Sequence, residues 1–359
     1  MKTFVLTEDQ EMLQGLARDL AQSEIAPRSE SIDHEALPPA EGMFILAEAG
    51  LLACAMPESY GGAELNHWSQ VSAIEEVAKD CASTAWAVAA SAEVSECLLV
   101  CGTEAQRTQT IPELVSGAFA VADGGNGIRA EKIADGHILN GIKKNVPFVG
   151  VCSWYLISAA EGETIHWFLL KGEMPGLSTG LSPKRLGMKG CAMGELVLEN
   201  CKATADMLVP GDVSSMLAGT QMLHMAAIAA GIAQGALNEA IKYVNQRVQF
   251  GKNIAQFENT QHVMAELLAK TEAARALVWD AAYVKDSGVD YAYVAAVSKL
   301  VASDTACVVT RKCVQFMGGY GYSREYPVER KMRDAKMTEL CGGTSEAQKN
   351  LIARRVVIQ

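Results

Sequence analysis

The chain has 359 residues, of which 49% are hydrophobic and 20% are charged, and its formal net charge at pH 7 is −11. This length and apolar content exclude a disordered chain and predict a large core with more than one structural unit. The acidic balance argues against nucleic-acid binding, because phosphate contacts require basic patches.

The first residues, MKTFVLTEDQEML, do not resemble a secretory leader, because a basic region followed by an apolar core is missing. No uninterrupted apolar run reaches the roughly 18 residues expected of a membrane span. Ten cysteines form no C-x-x-C pair and suit a reducing compartment as free thiols. Cys97 and Cys101, four apart on an apolar stretch, are interpreted as small core residues. We therefore expect no membrane contact and a cytoplasmic location.

Residues 1–115 show the pattern of a helical domain. The segment TEDQ, residues 7–10, is typical of a capping box, and apolar residues follow it at helical spacing. A Pro- and Gly-containing loop, MPESYGG, covers residues 56–62. Further helices are predicted at about 41–51, 68–80, 84–101 and 104–115.

Residues 116–211 change from helical to strand periodicity. Five short runs rich in β-branched and aromatic residues are separated by Gly, Asn and Pro, which predicts a small antiparallel β domain, either an open sheet or a barrel. The predicted strands are GAFAVAD, HILNGIKKNV, WYLISAA, TIHWFLLK and GELVLENC.

Residues 212–359 return to helical periodicity. One long helix is predicted through MLHMAAIAAGIAQGALNEAIKYVNQRVQF, residues 222–250, whose small residues allow close helix packing. The other predicted helices cover 258–287, 289–317 and about 344–356. The fold class is therefore α+β and mainly α, with an N-terminal helical domain, a middle antiparallel β domain and a C-terminal four-helix bundle.

Three C-terminal stretches occur in a recognisable order: NQRVQFGKNIAQFENTQH (245–262), CVQFMGGYGYSREYPVERKMRDAK (313–336) and GGTSEAQ (342–348). With these motifs the chain resembles the acyl-CoA dehydrogenase family along its whole length. The resemblance implies the same three-domain fold, a tetramer, and FAD bound between the β domain and the C-terminal bundle with help from a neighbouring subunit. It also implies oxidation of the Cα–Cβ bond of an acyl thioester, with electrons passed to an electron-transferring flavoprotein.

The resemblance also implies positions for FAD contacts. An arginine fork suits the bridged phosphates of the cofactor, and glycines let the backbone approach it. The glycine turn before the last helix would make room for the flavin. The implied cofactor-binding residues are Val121, Ala122, Arg247, Gln249, Phe250, Gln315, Gly318, Gly319, Thr344 and Glu346.

The family's catalytic carboxylate is missing at both of its usual positions. Most members carry a Glu directly before the Gly of G-T-S, where this chain has Gly342. A minority carry it near the start of the long helix after the β domain, where alignment gives Gln221. Neither residue can act as a general base at neutral pH. The side chains expected around the flavin ring also differ, with Asn145 and Pro147 on the relevant strand.

Other groups near these positions are weak candidates for a replacement base. Glu339 lies about one turn before the empty position, and Glu96 shares with Glu93 the helix expected to line the acyl pocket. Asp123 ends a strand beside the expected flavin, and Cys341 adjoins Gly342. For each of these carboxylates a solvated or capping role is the simpler interpretation, and a thiol needs a lowered pKa to serve as a base.

Three functional hypotheses follow. The first is an FAD-dependent oxidoreductase acting on an acyl-CoA or acyl-carrier thioester, with a non-standard base or the reverse reaction direction. The second is a non-catalytic partner subunit of a hetero-oligomeric acyl-CoA dehydrogenase, so that the oligomer is either a homotetramer or an α2β2 heterotetramer with a related chain. The third, weaker hypothesis is a flavin monooxygenase-like member, since that branch also lacks the Glu.

Overall fold

The computed structural model describes residues 6–357 and begins with a helical domain. The predicted capping box is confirmed: Thr7 accepts a hydrogen bond from the backbone N–H of Gln10 at 3.3 Å, and the Gln10 side chain accepts one from Thr7 at 3.0 Å. The predicted helices of this domain are all present. They are α1 (Glu8–Leu20), α3 (Ala40–Glu48), α4 (His67–Asp80), α5 (Ala82–Cys101) and α6 (Glu104–Val115), and a further short helix, α2 (Ser29–Glu35), was not predicted.

The middle domain is a curled sheet of eight strands. Its order is β6-β7-β3-β2-β4-β5-β8, with β1 added beside β4. All five predicted runs form strands, and three short strands were not predicted. Most neighbours are antiparallel as expected, but β1 and β2 each pair with β4 in parallel. The strands are β1 (Ala120–Asp123), β2 (Ile128–Ile133), β3 (Gly136–Pro147), β4 (Trp154–Glu161), β5 (Thr164–Lys171), β6 (Leu177–Thr179), β7 (Met193–Thr204) and β8 (Leu208–Val209).

The C-terminal domain is built around its longest helix, α7. α11 packs against both α7 and α9 and was not among the predicted bundle helices, whereas α12 packs on α9. The elements are α7 (Val213–Gln246), β9 (Val248–Gln249), β10 (Lys252–Asn253), α8 (Glu258–Asp286), α9 (Ala292–Met317), α10 (Gly319–Tyr322), α11 (Pro327–Thr338) and α12 (Ser345–Val356).

The prediction that α7 continues to residue 250 was wrong. The helix ends at Gln246 because Arg247 is extended, with φ −74° and ψ 122°. A two-stranded hairpin follows, in which β9 pairs with β10. Its turn uses Phe250 and Gly251, both with positive φ. The RVQFG motif is therefore a loop that projects from the end of the helix.

Small residues allow α7 to lie against the N-terminal domain. A Cβ added at Gly231 would meet the Glu75 carbonyl oxygen at 2.4 Å, and one at Gly235 would meet the Lys79 carbonyl oxygen at 2.1 Å. Only glycine permits α4 and α7 to approach this closely. This contact holds α7 against α4, while His224, nearer the start of α7, contacts Glu93 of α5.

Three helices have the length and apolar composition of a membrane span: α5, α7 and α9. The sequence was expected to contain no membrane span because it has no uninterrupted apolar run. These helices contain scattered polar residues, but their mean hydropathy is still high enough for a span. Within their most apolar windows, 89%, 83% and 44% of the residues are buried inside the protein. For α5 and α7, packing within the core accounts for the apolar composition.

Candidate active site

A cavity of about 570 Å³, which we call the main cavity because both expected base positions line it, lies where α5, the β domain, α7 and the turn before α12 meet. Strand β1 contributes Val121, Ala122 and Asp123, and α7 contributes Gln221 and Met225. Sequence analysis expected a flavin at this junction. The other lining residues used below are Trp86, Glu93, Asn145, Pro147, Trp167, Cys341, Gly342 and Gly343.

The glycine turn that closes the cavity is held from two sides. Gly342 and Gly343 have φ of 67° and 85°, which favours glycine at both positions. The Lys299 ammonium donates to the Gly343 carbonyl at 2.5 Å, and the Gln348 amide donates to the Gly342 carbonyl at 3.0 Å. Burial lowers the pKa of Lys299 to about 8, although Cys341 and nearby acids oppose the shift. The two hydrogen bonds hold the turn in place along one side of the cavity.

Both expected base positions line the cavity, and neither offers a carboxylate. A Cβ at Gly342 would meet the Gln221 carbonyl oxygen at 2.9 Å and the Met225 Cβ at 3.0 Å. The Gln221 amide donates to the Ala122 carbonyl at 3.2 Å and so ties α7 to β1. Gly342 and Gln221 therefore lie side by side on the wall of one cavity.

Two acids and one thiol do line the cavity. Asp123 already accepts from Lys143 at 3.2 Å and from the backbone N–H of Gly125 at 2.7 Å. Burial raises the pKa of the Cys341 thiol to about 11, so it is protonated at neutral pH and a poor base. Glu93 is almost fully buried on α5 and has one close polar partner, His224.

The structure does not support the two acids named first from the sequence. Glu339 does not line the cavity and forms an ion pair with Lys336. Glu96 is buried behind the cavity and forms an ion pair with Lys285. Burial works to raise the pKa of Glu96, but Lys285, His224 and His67 outweigh it and hold the pKa at about 2. Glu96 is thus a stable anion and a weak base.

A chain of titratable groups runs from Glu93 towards the surface. His224 Nδ1 lies 3.3 Å from Glu93 Oε1, and its Nε2 lies 3.7 Å from Glu96 Oε1. His67 Nε2 lies 3.9 Å from Glu96 Oε2, and its Nδ1 lies 2.7 Å from Asp286. The His67 side chain is 30% exposed, so the chain reaches solvent. Sequence analysis missed His224, although Glu93 and Glu96 at spacing i,i+3 signalled a shared partner.

A second cavity of about 590 Å³ brings together four of the implied FAD residues: Arg247, Gln249, Gly318 and Gly319. The Arg247 guanidinium stacks on the Tyr320 ring at 5.7 Å. Among residues 6–357 its side chain makes no hydrogen bond or ion pair, so its N–H donors are free for a ligand. A planar fork with free donors suits a pyrophosphate.

The two cavities lie far apart on one chain and share no lining residue. Gln221 lines the first and Tyr243 the second, and both belong to α7. Their spacing of 22 residues corresponds to about 33 Å along the helix. These two lining residues are therefore about six helical turns apart.

The remaining implied FAD residues line neither cavity. Phe250 is 91% exposed at the hairpin tip, and Gln315 is exposed near the end of α9. Thr344 caps α12 by accepting from the Ala347 N–H at 3.3 Å, and Glu346 is exposed in the first turn of that helix. The structure thus places them on surfaces near the two cavities without bringing them together.

Comparison with known proteins decides the family. The family models for the N-terminal and C-terminal domains of acyl-CoA dehydrogenase match residues 7–118 and 217–357. The acryloyl-CoA reductase (NADH) of Anaerotignum propionicum is 35% identical over 99% of this chain and 96% of its own length. The chain belongs to the acyl-CoA dehydrogenase family. Its fold class, as predicted, is that of this family.

Two solved structures are similar to this chain over nearly its whole length. Butyryl-CoA dehydrogenase from Megasphaera elsdenii superposes with a TM-score of 0.95, at 32% identity over 99% of both chains. A chain from the structure described as the electron transferring flavoprotein of Acidaminococcus fermentans gives a TM-score of 0.96, at 31% identity over 99% of this chain and 100% of that chain.

Acyl-CoA dehydrogenases depend on FAD, and the residues of this chain fit that cofactor. Arg247 offers free donors to the pyrophosphate, and Gly318 and Gly319 have open space around their Cα atoms. In the main cavity, the Gly342–Gly343 turn and the small Ala122 side chain leave room for a flat ring. Asn145 and Pro147 line the same cavity at the positions where the family resemblance implied an aromatic residue and a hydroxyl, so the hydroxyl donor is absent there.

Proposed function

We propose that this protein is an FAD-dependent oxidoreductase acting on the Cα–Cβ bond of a short acyl thioester, with Glu93 as its base. The observation that carries the proposal is the position of Glu93, a buried carboxylate in the same cavity as the vacated Gly342 and Gln221 positions. Relatives named for acryloyl-CoA and butyryl-CoA support a short acyl chain. Trp86 and Met225 line the same cavity and give it apolar walls that suit an acyl chain.

The proposed reaction divides between cofactor and protein. When bound, FAD would accept the hydride that leaves Cβ. The Glu93 carboxylate takes the Cα proton, and the C–H electron pair forms the Cα=Cβ bond. Burial excludes water from Glu93, and His224 orients its carboxylate at 3.3 Å.

His224 can take over the proton of Glu93, and beyond it the anionic Glu96 and the partly exposed His67 lie on the way to solvent. The separations of 3.7 and 3.9 Å between these groups exceed hydrogen-bond length, so transfer requires the rings to move closer. Asp286 fixes His67 at the exposed end. In the reverse direction, the same path returns a proton to Cα.

We also propose that each FAD is bound by two copies of the chain. The main cavity of one copy holds the ring, and the Arg247 cavity of another holds the pyrophosphate. The separation of about 33 Å along α7 supports this arrangement. A homotetramer of the family type provides such paired copies, and an electron-transferring flavoprotein is the proposed electron acceptor, supported by the similar chain from Acidaminococcus fermentans.

Exchange of the α-protons tests the base directly. Protein loaded with FAD is incubated with butyryl-CoA in D₂O, and deuterium incorporation is measured by mass spectrometry. Wild type should incorporate deuterium at Cα, and Glu93→Gln should lose exchange while keeping its flavin colour. Glu339→Gln is the matched control and should exchange normally. Equal exchange in wild type and Glu93→Gln would overturn the assignment.

A second candidate function is that of a non-catalytic partner subunit. The observation that favours it is the loss of both usual base positions beside an intact Arg247 cavity, which could serve a related chain's cofactor. Measuring FAD per chain in protein purified alone separates the two functions. One FAD per chain supports the enzyme, whereas a colourless protein that binds FAD only with a base-containing relative supports the partner subunit.

A further inference from the structure

A second group of chemically capable side chains lies on the β domain, outside both cavities. His137, Glu161 and His166 each offer one donor atom, and these three atoms lie within 4.8 Å of one another. His166 Nε2 is 3.0 Å and His137 Nε2 is 3.4 Å from the same oxygen, Glu161 Oε2. The family's reaction uses none of the three.

Sheet geometry brings the three residues to one face. His166 faces Ala159 and Glu161 faces Thr164 in the β4–β5 ladder, so Glu161 and His166 are diagonal neighbours. His137 comes from the start of β3, which is separated from β4 by β2. The curl of the sheet closes this gap. Adjacent side chains alternate, so His166 points away from the face on which Trp167 reaches the main cavity.

The spacing of the donor atoms matches a metal site. A tetrahedral ion with ligands at 2.0–2.2 Å holds its ligand atoms about 3.3 to 3.6 Å apart. The separations of 3.0 and 3.4 Å from Glu161 Oε2 need only small adjustment, and the two imidazole nitrogens lie within 4.8 Å of each other. Two imidazoles and one carboxylate form a donor set that Zn²⁺ accepts with one position left for water.

The surrounding protein already holds one of the three side chains in place. His137 is 7% exposed and packs edge-on against the buried Phe168 ring at 5.2 Å. Glu161 and His166 are half-buried, which leaves the group open to an ion from solvent.

We propose that His137, Glu161 and His166 bind a divalent transition-metal ion of the Zn²⁺ class. The ion would link β3 to the β4–β5 hairpin. The role is structural, because the ion joins three strands and lies outside the main cavity. The neutral imidazoles coordinate through nitrogen, and the carboxylate supplies one negative charge.

Metal binding by the full chain tests the proposal. Protein stripped with a chelator and kept reduced is dialysed against Zn²⁺, and bound metal is measured by mass spectrometry beside the thermal melting temperature. One Zn²⁺ per chain and a raised melting temperature are expected. His166→Gln and Glu161→Gln should each weaken binding by at least about 10- to 100-fold. His137→Ala should weaken Zn²⁺ binding to a similar extent.

His262→Ala is the matched control, because His262 lies 3.8 Å from Glu258 on an exposed helix face without a second histidine. It should bind Zn²⁺ as wild type does. If His137→Ala fails to fold, the half-exposed His166→Gln variant still decides the question. The proposal would be overturned if wild type bound no Zn²⁺, or if wild type and His166→Gln bound it equally.

Discussion

Glu93 Oε1 and His224 Nδ1 face each other at 3.3 Å, both buried, at the boundary between α5 and α7. The Glu93 carboxylate is in the cavity that contains the two vacated base positions, and the imidazole continues to Glu96. One contact thus joins the proposed reaction site to a path towards solvent.

His224→Gln should slow flavin reduction by butyryl-CoA about 10- to 100-fold while FAD stays bound. The amide can still donate to Glu93, but it cannot carry a proton towards Glu96. Stopped-flow absorbance measures the rate, and the ratio of FAD to protein shows that the site is intact. His262→Gln is the control. A rate equal to wild type would show that His224 only fills space.

We predict that the protein loses stability in acid because Glu96 becomes protonated. Its pKa is about 2 in the folded protein, below the ordinary value of 4.5, so its stabilisation is complete above about pH 4.5. As the pH falls from 4.5 towards 2, the unfolded chain takes up this proton first, and on the order of 3 kcal/mol is lost. Urea unfolding across this range measures the slope. Glu96→Gln should flatten it.

The Glu96–Lys285 pair gives a separate prediction at neutral pH. Glu96→Gln leaves the buried Lys285 ammonium without its anion and should cost about 3 to 5 kcal/mol. Adding Lys285→Met to Glu96→Gln should restore much of that loss, because the buried charge is removed. If the double variant is less stable than Glu96→Gln alone, the pair is not the source of the effect.

Gly342→Ala should destabilise the protein more than Gly288→Ala. Both glycines have left-handed φ, 67° and 74°. A Cβ at Gly288 meets nothing within 4 Å, whereas one at Gly342 meets the Gln221 carbonyl oxygen at 2.9 Å. Gly288→Ala should cost about 1 to 2 kcal/mol from backbone strain alone. Chemical denaturation compares the two, and equal losses would show that the turn tolerates a side chain.

Mixing two inactive variants tests the two-copy cofactor site. Arg247→Ala damages the pyrophosphate cavity and Glu93→Gln the main cavity, so each alone should have little activity. When the chains are co-expressed, a mixed dimer regains one site, built from the Glu93 of one copy and the Arg247 of the other. Random pairing should restore about a quarter of wild-type activity. No recovery would place both residues in one chain's site.

Sequence periodicity predicted most of the fold because its elements are long or strongly patterned. It failed at the end of α7, where RVQF continues an apolar pattern but Phe250 and Gly251 adopt a turn. It also missed β2, β6 and β8. Of these, β6 and β8 have only three and two residues. Such strands depend on partners distant in sequence.

The candidate site was only partly predictable. Motif spacing identified Gly342 and Gln221 as vacated positions, since both belong to aligned segments. It could not rank Glu93 above Glu96, because two carboxylates three residues apart differ only in their partners. Lys285 neutralises Glu96, and only the packing of α8 against the N-terminal domain reveals this. His137, Glu161 and His166 likewise meet only through sheet curvature.

The visible absorption spectrum of the purified chain, recorded before and after adding butyryl-CoA, tests the central claim most directly. Wild type should carry about one FAD per chain and lose its flavin absorbance with the thioester, whereas Glu93→Gln should be equally yellow and remain so. A colourless wild-type protein, or equal bleaching of the two proteins, would contradict the account.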